Sequence, residues 1–127
     1  MKINKNVLVI DDDYHIRRVI ELKLRNAGYQ VLMARNGEEG LQLIKDKQPG
    51  VVITDVVMPK MGGRELCIAV NKFKKERDFL TIVVTCSMTF DEKIWVSGMR
   101  NTQFMEKPFS LTKLLECIDT FFGIERQ

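Results

Sequence analysis

Short apolar runs recur along this chain without the polar alternation of a half-exposed strand. They stand at residues 7–10, 31–34, 51–53, 82–84 and 104–105. Unbroken apolar character is what a strand needs when both faces of its sheet are covered, as in a parallel sheet flanked by helices. Between the runs the apolar positions change to steps of three and four. Ile16, Ile20, Leu24 and Ala27 lay one stripe along a first helix, with Gly28 as its C-terminal cap, while Leu41 and Ile44 mark a second that Pro49 and Gly50 close. Leu66, Ala69, Val70 and Phe73 give a third. Phe90 and Ile94 place a fourth over residues 90–98, and Leu111, Leu114, Leu115, Ile118 and Phe122 give a fifth that ends near Gly123.

Five repeats of strand then helix predict an α/β fold of the doubly wound class. It is a (βα)5 three-layer sandwich with one parallel five-stranded sheet between two layers of helices. A flavodoxin-like strand order of 2-1-3-4-5 is expected, and nothing along the 127 residues reads as a linker, so residues 1–127 form a single domain. In such sheets ligands bind beyond the carboxyl ends of the strands, where the strand order reverses. The residues that follow each apolar run are therefore the ones that matter for chemistry.

Four of the five runs deliver a reactive side chain. Asp11, Asp12 and Asp13 follow the first, Asp55 the third, Thr85 the fourth, and Lys107 with Pro108 the last. In the order 2-1-3-4-5 the silent second strand lies at an edge and the other four are contiguous. Carboxylates brought within a few ångströms repel one another unless a cation or a metal neutralises them. All-oxygen ligation of this kind suits Mg²⁺, which takes one or two carboxylates plus waters and phosphoryl oxygens. An oxygen nucleophile, a hard metal and a fixed ammonium are the parts that phosphoryl transfer requires.

Composition adds exclusions. Hydrophobic residues make up 45% and charged residues 29%, which excludes a disordered chain. The net charge of +3 is spread thinly, and its densest run, residues 72–77, contains Phe73 and Glu76 and reads as the solvated face of a helix. Direct nucleic-acid binding is not expected. Cys67, Cys86 and Cys117 are odd in number and form no C-x-x-C pair, which argues against disulfides and zinc and for a reducing, cytoplasmic location. Lys2 and Lys5 precede an apolar run of four residues that ends in three aspartates, unlike a signal peptide. No apolar stretch approaches the roughly 20 residues that cross a bilayer, so membrane insertion is not expected.

The motifs V-L-V-I-D-D-D, I-T-D-V-V-M-P, V-V-T and E-K-P-F, in that order, resemble the receiver domain of two-component response regulators over nearly the whole chain. Each motif is common alone; four in order at strand ends are specific. The resemblance implies a phosphorylation-dependent switch rather than an enzyme, with Asp55 as phosphoacceptor for a sensor histidine kinase or phosphotransfer protein. It implies Mg²⁺ held by Asp12, Asp55 and the backbone carbonyl of Val57, with Asp11 contributing through water. Lys107 would grip a phosphoryl oxygen, Thr85 would bind another and move inward, and Phe104 would rotate into the vacated space. The output would pass through the fourth helix, last strand and last helix to a downstream effector protein or domain. A cis bond between Lys107 and Pro108 is also implied.

Plainer readings compete at single positions. Asp13 is best read as a helix N-cap, His15 as a surface residue of the first helix, and Trp95 and the seven methionines as packing or partner surface. Taken singly, Asp55 could be a turn residue, Thr85 strand filler and Lys107 an exposed charge; their company at adjacent strand ends reverses that order. The chain also departs from the family pattern. Gly62 stands where an aspartate is common, Cys86 where a small residue follows the switch hydroxyl, Met99 where alanine is common, and Phe104 lacks the tyrosine hydroxyl. Residues 100–103 lack the acidic pair of the winged-helix subgroup. Val57 cannot orient a hydrolytic water as a polar residue there would, and with Ser87 on the other flank this predicts slow autodephosphorylation. The alternative to a phosphoacceptor is a pseudo-receiver, an interaction module that works without phosphorylation. An enzyme of this fold is disfavoured: no glycine-rich phosphate loop follows a strand, and a dehalogenase-type phosphatase would want an aspartate where Val57 stands. With four residues after Gly123, the chain reads as a single-domain regulator or a receiver cut from a longer one.

Overall fold

A computed structural model describes residues 5–72, 74, 78–86 and 89–126. Strand and helix alternate throughout: β1 (Asn6–Ile10), α1 (Tyr14–Asn26), β2 (Gln30–Ala34), α2 (Gly37–Lys47), β3 (Val51–Asp55), α3 (Gly63–Asn71), β4 (Leu80–Thr85), α4 (Phe90–Ser97), β5 (Thr102–Glu106) and α5 (Leu111–Phe122). The strands form one sheet in the order β2-β1-β3-β4-β5, and all four pairings are parallel. The doubly wound architecture and strand order expected from the apolar runs are those observed.

Within each unbroken run, successive side chains go to opposite faces of the sheet. Val7, Val9, Val51, Ile53, Ile82 and Val84 pack with Ile20 and Leu24 of α1 and Leu114 and Ile118 of α5. Leu8, Ile10 and Val52 pack on the other face with Ile44 of α2 and Leu66 and Val70 of α3, and Val83 packs with Trp95 and Val96 of α4. Two helices thus cover one face and three the other. Leu24, Ile44, Leu114 and Ile118 are wholly buried, and burial of side chains this size contributes about 1.5–3 kcal/mol each.

The helix ends are set locally. Asp13 Oδ1 accepts from the amides of His15 and Ile16, so Asp13 is the N-cap of α1 and His15 lies exposed in its first turn. Thr89 and Glu92 close a reciprocal capping box on α4. Gly62 has no side chain to offer α3, but its amide donates to Glu65 Oε2 at 2.6 Å. Ala27 is the C-cap of α1, one residue earlier than the sequence pattern places it, and Gly28 follows at φ +97°. At the far end of α5, Asp119 accepts from Tyr29 Oη and from Arg126, whose guanidinium also donates to Ala27 O at 2.9 Å. The end of α5 and the segment after it are thereby tied to the turn between α1 and β2.

Two expectations need correction. The basic run 72–77 is not simply a solvated helix face, because Lys74 is buried: its ammonium donates to Thr81 Oγ1, Arg100 O, Asn101 O and Thr102 Oγ1. These oxygens at the start of β4 and β5 replace the water it gives up. Phe73 and residues 75–77, including the proposed last position of the α3 stripe, lie outside the described residues. The second correction concerns β5, an edge strand whose Phe104 is 42% exposed, so its apolar run does not report cover on both faces.

Candidate functional site

The carboxyl ends of β1, β3 and β5 bring Asp11, Asp12, Asp55 and Lys107 together, and the end of β4 adjoins them through the Thr85 backbone. Asp11 follows β1 and is buried, Asp12 beside it is exposed, and Asp55 is the half-buried last residue of β3. One carboxylate oxygen from each of these three lies within 4.8 Å of the others. Lys107 enters from the loop after β5, where its ammonium donates to Asp55 Oδ2 at 3.1 Å and Asp11 Oδ2 at 3.3 Å. Thr85, the buried last residue of β4, is joined to that loop through its carbonyl, which accepts from Lys107 N at 2.7 Å. The Lys107–Pro108 peptide is cis.

Backbone groups complete the frame. Asp55 Oδ1 accepts from Val56 N at 2.7 Å, leaving Oδ2 directed at Lys107, and Asp11 Oδ1 accepts from Asp13 N at 2.9 Å. The β3–α3 loop folds back so tightly that a Cβ on Gly63 would overlap Asp55 O and stand 3.0 Å from Val56 Cα, which only glycine avoids. Gly63 N closes the loop on Val56 O at 2.9 Å. Val57, two residues past Asp55, is 77% exposed.

Electrostatics divides the acidic group. Burial pushes the Asp11 carboxyl above its usual range, and the Asp55 charge adds to this against the opposing pull of Asp13 N and Lys107. Burial draws Lys107 down, but the hydrogen bond to Asp55 and the charges of Asp11 and Asp55 outweigh it, leaving the ammonium above its ordinary value. Three carboxylates against one ammonium leave a surplus of negative charge in a partly desolvated cup. An oxygen-only donor set with that surplus fits a hard divalent cation such as Mg²⁺.

Sequence reasoning did not anticipate every participant. Arg17 reaches back from α1 to donate to Asp11 O at 2.6 Å. Its partner is a backbone carbonyl, which leaves no mark in residue types. Phe104 points outward, Cys86 is exposed next to Thr85, and Met99 packs against the Trp95 cluster. Trp95 itself is packing, as expected. Ser87 lies outside the described residues.

The family model of the response regulator receiver domain matches residues 7–119. The chain belongs to that family. Among curated relatives, this receiver is 36% identical over 115 residues to "Probable transcriptional regulator ycf27" of Cyanophora paradoxa, a match covering 90% of this chain and 47% of that protein. It is 34% identical over 110 residues to "Response regulator MprA" of Mycobacterium sp. strain KMS, covering 86% of this chain and 46% of that one. The receiver thus spans about half the length of these relatives. Among solved structures it is similar to chemotaxis protein CheY4 of Vibrio cholerae, with 29% identity and a TM-score of 0.83 over 93% of this chain and 98% of that chain. It is also similar to a CheY-like receiver domain protein of Methanospirillum hungatei JF-1, with 27% identity and a TM-score of 0.84 over 94% of each chain. Receivers of this family are phosphoacceptor domains of two-component signalling that bind Mg²⁺ at an acidic pocket. Among the described residues, no helix is long and apolar enough to cross a membrane.

Proposed function

We propose that this receiver is a switch that accepts a phosphoryl group on Asp55. The observation that carries this reading is Lys107 Nζ donating to both Asp55 and Asp11 in a group of three clustered carboxylates. Asp55 Oδ2 attacks the phosphorus of a phosphohistidine on a sensor kinase or phosphotransfer protein. The P–N bond breaks, the imidazole leaves with its electron pair, and an acyl phosphate forms. Asp12, Asp55 and the Val57 carbonyl would hold Mg²⁺, with Asp11 acting through water. Bound there, the metal would supply charge neutralisation to the transferring group. Lys107 passes from the Asp55 carboxylate to a phosphoryl oxygen, and Thr85 donates its hydroxyl to another.

The new group adds about −1.5 to −2 charge at the end of β3. Thr85 and Phe104 read it out: Thr85 moves toward the phosphoryl group, and the outward Phe104 ring turns into the space released. The surface of α4, β5 and α5 changes affinity for a downstream effector protein or domain. Couplings of this kind are typically about 1–3 kcal/mol, enough to alter binding from roughly five-fold to over a hundred-fold. No direct contact with nucleic acid and no insertion into a membrane is required.

Mass spectrometry after incubation with acetyl phosphate and Mg²⁺, wild type beside Asp55→Ala, tests the assignment. The expected result is a gain of one phosphoryl group in the wild type alone. An unlabelled wild type overturns the phosphoacceptor reading in favour of a pseudo-receiver, and equal labelling of the variant moves the acceptor elsewhere.

A further inference from the structure

The segment after Asp55 carries two consecutive residues in the left-handed region, Lys60 at φ +51° and Met61 at φ +86°. Neither is glycine, asparagine or aspartate, the residues that tolerate this conformation. Such conformations are strained and persist only where their surroundings over-determine them. Two features hold this segment. At its base, Gly63 N donates to Val56 O. Beyond Lys60, Met61 O accepts from Gly37 N at 3.1 Å, and the Met61 side chain packs on the cluster of Leu8, Ile10, Ala34 and Ile44.

Gly37 is buried at the first position of α2. A Cβ there would overlap Met61 O and stand 2.8 and 2.9 Å from Met61 Cγ and Cβ. Any side chain at 37 must therefore displace Met61. Behind Gly37, helix α2 is firmly seated: its N-cap Asn36 accepts from Glu39 N at 2.9 Å, and a Cβ on Gly40 would overlap Ile10 Cδ1. The loop cannot push α2 away without repacking the core beneath it.

Val57 lies between the Val56–Gly63 closure and the Gly37–Met61 tether. We propose that Gly37 is a positioning residue for the metal site, fixing through Met61 the loop that presents the Val57 carbonyl to Mg²⁺. This rests on the phosphoacceptor reading above, in which that carbonyl is a ligand. Mg²⁺ demands near-ideal octahedral geometry at about 2.0–2.1 Å, so it is sensitive to displacement of a backbone ligand. Changing a residue that orients metal ligands without touching the metal typically costs 10–100-fold in metal affinity. Linkage requires the converse as well: a bound metal must strengthen the Gly37–Met61 contact.

Two measurements on the whole chain test this. Calorimetric titration with Mg²⁺ should give Gly37→Ala an affinity about ten-fold weaker than wild type. At saturating Mg²⁺ the variant should still label to the wild-type extent with acetyl phosphate, needing only more metal. If Gly37→Ala does not fold, hydrogen exchange on the wild type decides: Mg²⁺ should slow exchange of the Gly37 amide and leave that of Gly50, which donates to Asn6 O, unchanged. Equal Mg²⁺ affinity in the two proteins, or Gly37 exchange indifferent to the metal, overturns the positioning role and leaves the phosphoacceptor reading standing. A wild type that binds no Mg²⁺ overturns both.

Discussion

Lys107 Nζ lies 3.1 Å from Asp55 Oδ2, so the loop after the last strand supplies a positive charge to the carboxylate that ends the third. The same ammonium is 3.3 Å from Asp11 Oδ2, and all three side chains are at most 15% exposed. A cation held this way compensates the cup and also competes with any metal that enters it. In Lys107→Met the three carboxylates lose their counter-charge. Without divalent ions, unfolding in urea should become easier by about 1.5–3 kcal/mol, the usual worth of a hydrogen bond to a charged group. Millimolar Mg²⁺ should then stabilise the variant more than the wild type. Equal Mg²⁺ increments in the two proteins would show that ammonium and metal do not share a site.

The exposed Val57 side chain bears on how long the phosphorylated state lasts. A hydrocarbon there offers no donor or acceptor to align a water for attack on the acyl phosphate. The wild type should therefore lose its label slowly, and Val57→Asn should shorten the lifetime several-fold. Decay can be followed by mass spectrometry after phosphodonor removal; a wild-type half-life of seconds that Val57→Asn leaves unchanged would refute the claim.

Lys74 makes alkaline stability readable. Burial draws its ammonium down to about 8 from the ordinary 10.5. Between these values the unfolded chain holds a proton that the folded chain has shed, so stability from this group rises with pH. Burial pushes the neighbouring Cys67 thiol up to about 12 from 9, which acts in the opposite sense above about pH 9. The clear window is thus from about pH 8 to 9. There the urea midpoint of the wild type should climb, while that of Lys74→Met should stay flat. A wild-type midpoint that falls across this window would contradict the sign.

Asp119 governs the acid side. Burial raises its carboxyl, but the hydrogen bonds from Arg126 and Tyr29 outweigh this and hold it below the usual range. A lowered folded-state value means stability that is present above the unfolded value near 3.8 and lost as pH falls through the folded one. Arg126→Ala removes the largest lowering influence, so acid unfolding followed by circular dichroism should begin at a higher pH than in the wild type. An unchanged acid midpoint would mean that the contact is not maintained in solution.

The fold was legible because the central strands β1, β3 and β4 are buried on both faces and are apolar at most positions. β5 was the weakest strand in sequence terms, since Gln103, Phe104 and Glu106 are exposed at a sheet edge. Its place rested on the two-residue run Phe104–Met105 alone. Asp11, Asp12, Asp55, Thr85 and Lys107 could be picked out because their chemistry resides in side chains at strand ends. The contacts of Arg17, Gly37 and Lys74 could not, because much of what they meet is backbone carbonyl, and a carbonyl has no residue type. Lys74 misled for the same reason: a lysine among lysines looks solvated until the oxygens of another loop are placed around it.

Helix α5 starts four residues beyond Lys107 and ends at Phe122, its last turn holding Asp119, to which Arg126 binds while also reaching Ala27 O. Twelve residues at 1.5 Å each make a rod of about 18 Å. One tip therefore follows the loop that carries Lys107, while the other is tied through Arg126 to Ala27. A rod anchored at its distant tip cannot slide freely when the near tip is pulled. In the proposed switch, motion begun at the acidic cup would therefore emerge as a change of tilt along its outward flank.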